Sequence, residues 1–390
     1  MPKFSRISRR NKPLGPVHPV PNSEFESTSS SKPKTICNDS NTYGEAGSGR
    51  QFDFTFDSGP IWGTSKGFRL FSQNERFLGP NMDTQLSLSE STLNFPEEFG
   101  RTYPAFRPGS YPYPNDPIET RRLDRQYHIL NEVSGGRIHL APWTLQQPPS
   151  NVLDIATGTG IWAMDIADLY PNTQIQGNDL SPIQPKQVPP NVHFFVEDAE
   201  DEWGFAQPFD YIHTRCCLGS FKNFKRNIIQ QAFDNLSPGG WFEIQEIQHQ
   251  AFCDDGTLSP SSPLAFWCRE LQEASECLDR QIVIAPYLRQ WYEEIGFVDV
   301  QEVVYKIPLN TWPRDPKHKA IGSKWERVLL DGLSGFSLAL FNRHFARSRE
   351  EIEASLVGVR RDISDPRIHA YHQYHVVIGR KPLLGRPHAV

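Results

Sequence analysis

The segment that most constrains the fold begins at Asn151 and reads "NVLDIATGTGIWAMDIADLYPNTQIQGNDLSPIQP". "NVLDIA" is a mostly apolar run of the kind that forms a strand buried on both faces, and "GIWAMDIADLY" has the length and spacing of a helix. Between them, Gly158 and Gly160 remove side chains where the backbone must turn sharply and approach a ligand. A second strand, "TQIQGNDL", follows and carries Asp179 near its end. In an open parallel sheet built from such units, ligands sit beyond the carboxyl ends of the strands. The spacing of Gly158, Gly160 and Ala163 suits a dinucleotide as well as an adenosyl sulfonium.

Three acidic positions separate these alternatives. Asp154 stands just before the glycine turn, where a carboxylate receives a cationic amino group but repels a pyrophosphate. Asp179 is placed to accept both hydroxyls of a ribose, a role common to both cofactor classes. "EDAED" ends a third strand and puts Asp198 where it accepts from an adenine amino group, with the amide of Ala199 beside it. Any one of these acids is equally at home as a helix N-cap or a solvated loop carboxylate. At successive strand ends, the three together favour S-adenosylmethionine. A nicotinamide oxidoreductase rests on the glycine loop alone.

The alternation continues with "FDYIHTRC" as a fourth strand, "KRNIIQQAFDNL" as an amphipathic helix and "GGWFEIQEI" as a fifth strand. This order predicts an α/β fold with a mostly parallel sheet and helices on both faces. Upstream, Asp116 and Pro117 are placed to start a helix through Leu123, Tyr127 and Leu130. Downstream, "PLAFWCRELQEASECL" and "YLRQWYEEIGF" carry helical spacing, while "VDVQEVVYKIPL" and "HAYHQYHVVIGRK" alternate as edge strands do. Helical insertions are expected at about 255–280 and 310–365. The second reads either as a packed layer or as a cap over a substrate pocket. Residues 1–94 are rich in Ser, Asn, Pro and Gly with little apolar periodicity, and read as a largely disordered tail ahead of a folded domain at 95–385.

The formal net charge of −6 lacks the basic footprint of a dedicated nucleic-acid binder. The six cysteines show no CxxC pairing, which argues against a zinc site or disulfide framework and for a reducing, intracellular compartment. His369, His372 and His375 invite a metal reading, but residues three apart on a strand face opposite sides, so no metal is expected. No apolar h-region follows the basic residues Lys3, Arg6, Arg9, Arg10 and Lys12, so a signal peptide or membrane span is not expected. The basic tract itself reads as a solvated tail or a weak nuclear import signal.

His213, with Thr214 and Arg215 at the end of the fourth strand, is the catalytic candidate. It has the location and pKa range of a general base for a hydroxyl or protonated amine, and equally those of an ordinary buried histidine. Arg215 is suited to an acidic or enolic substrate.

From about residue 95 onward the chain resembles the LaeA-like S-adenosylmethionine-dependent methyltransferases of filamentous fungi. The resemblance is carried by "FGRTYPAFRPGSYPYPNDPIETRRLDRQYHIL", "LDIATGTGIWAMDIAD", "DLSPIQP", "PPNVHFFVEDAEDEW", "FDYIHTRCCLGS", "LSPGGWFEIQEI", "CDDGTL", "IPLNTWPRD" and "IHAYHQYHVVIGRKPL". It implies a class I, Rossmann-like methyltransferase fold with seven strands and a helical cap. It also implies cofactor contacts from Asp154, Gly158, Gly160, Asp179, Asp198 and Ala199, with Tyr103 and Arg122 as further candidates. The implied function is methyl transfer to an O, N or C atom of a small molecule in secondary-metabolite biosynthesis. The alternative is a nuclear regulator of secondary metabolism working with protein partners. Ala156 departs from the acid-x-Gly-x-Gly-x-Gly pattern of methyltransferase loops; one methyl group matters little there unless the position needs a positive φ.

Overall fold

The structure, a computed structural model, describes residues 90–383, so the expected disordered tail lies, up to residue 89, outside the described residues. A short helix α1 (Glu90–Leu93) and a hairpin of β1 (Glu97–Glu98) and β2 (Arg101–Thr102) lead to α2 (Pro117–Val133). Asp116 starts α2 as the sequence predicts. Its carboxylate accepts from the amides of Ile118 and Glu119 at 2.9 and 3.0 Å, with Pro117 in the first turn, where its missing N–H costs nothing. The guanidinium of Arg101 holds the same carboxylate from outside.

The alternating core follows as β3 (Asn151–Ile155), α3 (Ile161–Leu169), β4 (Gln174–Asp179), β5 (Val192–Val196) and β6 (Phe209–Arg215). A π-helical turn at Lys225–Gln230 runs into α4 (Gln231–Asn235), then β7 (Leu236–Ile247), α5 (Pro263–Cys277), α6 (Leu288–Ile295) and β8 (Val298–Pro308). The chain closes with α7 (Pro316–Phe345), α8 (Arg349–Ile363) and β9 (Tyr371–Arg380). The seven strands lie in the order β5-β4-β3-β6-β7-β9-β8, and β9 alone runs antiparallel to its neighbours. The winding reverses between β3 and β6, which makes their carboxyl ends the point where a ligand crevice opens.

One strand assignment needs correction. "HAYHQYHVVIGRK" reads as an edge strand, but β9 is inserted between β7 and β8 and pairs with both. Its polar positions mislead because they find buried partners instead of water. His375 Nδ1 lies 2.7 Å from Glu302, and His372 Nδ1 accepts from Trp325 Nε1 at 3.3 Å. With His369 Nδ1 against Asp255, the three histidines have three separate partners.

The helical insertions form a layer in which α5, α7 and α8 pack on one another and on α2, around Leu130, Trp267, Leu333, Phe341 and Leu356. Trp267 Nε1 donates to Ser337 Oγ at 2.9 Å, which fixes α5 against α7. Among the described residues no helix is long and apolar enough to cross a membrane.

Candidate functional site

The carboxyl ends of β3, β4, β5 and β6 and the flank of α2 enclose one cavity, with about 1060 Å³ of space between its walls when the open mouth is included. Its floor is the turn after β3. Gly158 and Gly160 adopt φ of +61° and +77°, and a Cβ on Gly160 would lie 2.4 Å from the Phe194 ring, so glycine is needed there for conformation and for space. Ala156 also adopts a positive φ, +52°. The condition under which its methyl group matters is therefore met, and the left-handed conformation costs about 1–2 kcal/mol. Asn178 on β4 holds the turn, its side-chain oxygen and carbonyl accepting from the amides of Ala156 and Thr157 at 3.1 and 2.8 Å. Gln184, from "SPIQP", donates to the Gly158 carbonyl at 2.7 Å and ties the loop after β4 to the same turn.

Asp154 and His213 are register partners on the adjacent parallel strands β3 and β6. Asp154, 3 % exposed, accepts from His213 Nδ1 at 2.7 Å and from Thr157 Oγ1 at 2.5 Å. The His213 ring stacks on Trp162 with centroids 3.8 Å apart and planes 7° from parallel. Trp162 is anchored in turn by Nε1 donating to the Ile138 carbonyl at 2.8 Å. Burial lowers the His213 pKa against the opposing pull of Asp154, so the ring is neutral and its proton sits on Nδ1, where the carboxylate needs a donor. Nε2 is buried and has no hydrogen-bond partner among the described residues.

Asp179 ends β4, with one oxygen accepting from the Gly158 amide and the other from the Ser181 amide, both at 2.9 Å. Burial pushes its carboxyl up to about 6 despite those bonds. Asp198, after β5, accepts from the Glu200 amide at 3.0 Å and has Arg107 Nε at 3.7 Å.

Of the residues singled out in the sequence, Asp154, Gly158, Asp179, Asp198, Ala199 and His213 converge on the cavity wall. Gly160 lies behind it, at the N-terminus of α3. Tyr103 and Arg122 are not among the lining residues. Tyr103 is buried close to Glu98 and Arg101. Arg122 is clamped by Glu119 at 2.7 Å and Gln126 at 2.6 Å, its guanidinium over the Phe336 ring of α7. Cys217 is packed and Cys216 partly exposed, though Cys216 lies just past the end of β6 with φ of +55° and is not on an extended chain. Sequence reasoning missed Tyr111, Gln126, Glu200 and Arg280, which also line the cavity. They come from loops and a helix flank; the signals were the aromatic run "GSYPYP" for Tyr111 and, for Glu200, its place in "EDAED" beside Asp198.

The wall chemistry fits S-adenosylmethionine. Three carboxylates at consecutive strand ends offer acceptors for an ammonium group, a pair of ribose hydroxyls and an adenine amino group, and the orphaned Nε2 leaves one further buried acceptor beside them.

Comparison with known proteins agrees. Residues 125–302 match a methyltransferase domain family. "Methyltransferase pytC" of Aspergillus terreus is 38% identical over 307 residues, which is 78% of this chain and 94% of that protein. "Secondary metabolism regulator LAE1" of Cochliobolus heterostrophus is 37% identical over 292 residues, 73% of this chain and 94% of its own. "Protein-methionine methyltransferase laeA" of Emericella nidulans is 33% identical over 313 residues, 78% of this chain and 81% of its own.

Proposed function

This chain belongs to the LaeA-like S-adenosylmethionine-dependent methyltransferases of filamentous fungi, and we propose that its acceptor is a small molecule of secondary metabolism, methylated at O, N or C. The observation that carries this reading is the convergence of Asp154, Asp179 and Asp198 on one cavity whose wall also carries the apolar side chains Leu123 and Leu130. The cofactor supplies a methyl group already activated on a sulfonium sulfur. The protein's work is then orientation and exclusion of water.

Asp154 receives the amino group, Asp179 the ribose hydroxyls, and Asp198 with the Ala199 amide the adenine edge. Gly158 and Gly160 let the backbone approach. His213 acts through Asp154: its Nδ1–H fixes the carboxylate while Trp162 fixes the ring. Leu123, Tyr127 and Leu130 of α2 supply the apolar wall beside the reacting groups.

A second reading, a regulator that methylates protein or works within a protein complex, is favoured by the 37% identity with the Cochliobolus regulator. Incubating the purified protein with methyl-labelled cofactor and a fungal culture extract separates the two. Label in the small-molecule fraction supports the first reading; label confined to protein supports the second.

A further inference from the structure

Two arginines line the cavity, and they differ in what neutralises them. Arg280 is held by the Glu200 carboxylate at 3.1 Å and the Ser220 carbonyl at 2.8 Å. Arg215, the last residue of β6, makes no ion pair within 4.0 Å among the described residues: Nη1 lies 3.3 Å from Asn131 Oδ1, and the guanidinium sits 4.6 Å from the Tyr127 ring centroid. Its Nη2 is buried and has no hydrogen-bond partner among the described residues. The aromatic face stabilises a cation without neutralising it. A buried N–H left unpaired costs free energy that a protein retains only where something else compensates it. The next residue, Cys216, is held at φ of +55°, a conformation that persists only where the surrounding structure enforces it.

Arg215 also lies on the opposite side of the β3/β6 switch point from Asp179 and Asp198. The acidic side of the cavity suits hydroxyls and an ammonium, and the β6 side presents a guanidinium without an ion-pair partner among the described residues, close to Tyr127 and on a wall that also carries Leu123 and Leu130. In that low-dielectric setting an anion gains far more from the guanidinium than it would in water.

We propose that Arg215 is the acceptor-recognition residue, and that the methyl acceptor is a small organic oxyanion, either a carboxylate or the enolate of a 1,3-dicarbonyl. This rests on the methyltransferase reading above and deepens it. An acceptor that arrives as an oxyanion has no proton to lose, so its methylated product is the neutral ester or enol ether and no base is required.

The test measures binding by titration calorimetry and ligand-observed NMR, without turnover. Phenylacetate is compared with phenylacetamide, and the enolate of dimedone with its O-methyl ether, each in the presence of S-adenosylhomocysteine. At least one anion is expected to bind about tenfold or more tightly than its neutral counterpart, with Arg215→Gln erasing the preference and Arg215→Lys restoring part of it. Preference for phenylacetate identifies a carboxylate site, and preference for dimedone an enolate site. Equal binding of anion and neutral partner, a preference that survives Arg215→Gln, or no binding of either anion overturns the proposal. S-adenosylhomocysteine titrated alone is the control: if it fails to bind wild-type protein, the methyltransferase reading itself has failed. If it binds and the anions do not, only the assignment of Arg215 has.

Discussion

Nδ1 of His213 donates to Oδ1 of Asp154 across 2.7 Å, joining β3 to β6 at the point where the sheet reverses its winding. The pair is sealed beneath Trp162, and both side chains are nearly inaccessible to solvent. A histidine in this position controls where a carboxylate points.

His213→Ala is therefore expected to raise the KM and Kd for S-adenosylmethionine about tenfold, the worth of a hydrogen bond to a charged group, with a smaller effect on kcat. His213→Asn, which returns an N–H near the same place, is expected to recover most of the affinity. A general base gives the opposite pattern, with kcat lost, KM kept and no rescue by asparagine.

Asp179→Ala is expected to weaken cofactor binding by about 1–3 kcal/mol, because ribose hydroxyls lose a charged acceptor. The wild-type protein carries a pH signature of the same contact. Burial holds the Asp179 carboxyl at about 6, and the ionised form is the one that accepts two hydroxyls. Affinity is then full well above pH 6, where the carboxyl is ionised, and falls as pH drops through about 6. Titrations between pH 5 and 8 check this, and Asp179→Asn removes the inflection.

Glu246 predicts a pH effect on the fold. Its carboxyl is buried, accepts from the Cys217 and Ile247 amides at 2.7 and 2.9 Å, and is pushed up to about 8 from an ordinary 4.5. The folded state thus keeps a proton that the unfolded chain releases. Stability from this group is complete below pH 4.5 and is lost as pH rises to about 8. Denaturant melts across that range are expected to show the decline, and Glu246→Gln to flatten it.

Ala156→Gly is expected to stabilise the protein. Relief of the left-handed alanine exceeds the added entropy of glycine in the unfolded chain, for a net gain of about 0.5–1 kcal/mol. A thermal melt raised by about 1–2 °C supports this, and an unchanged or lowered melt contradicts it.

Much of this was legible in the sequence for a physical reason. A strand buried on both faces must be a mostly apolar run, and a turn at positive φ selects glycine, so "NVLDIATGTG" announces both. The acids at strand ends followed from order alone. What the sequence concealed was pairing. Nothing local to "HAYHQYHVVIGRK" says that β9 inserts between β7 and β8, because its polar residues are satisfied by Trp325 and Glu302 from distant elements. Likewise Arg280 and Glu200 meet in the cavity wall from loops 80 residues apart. The commitment of His213 to Asp154 depends on strand register, which spacing along the chain does not encode.

The most direct test of the central claim is calorimetric titration of the purified protein with S-adenosylmethionine and, separately, with NADH. Saturable binding of S-adenosylmethionine alone, weakened in Asp154→Ala and Asp179→Ala proteins that remain folded, is the predicted result. Binding of NADH instead, or S-adenosylmethionine affinity untouched by either substitution, contradicts the assignment of the three carboxylates on which the account rests.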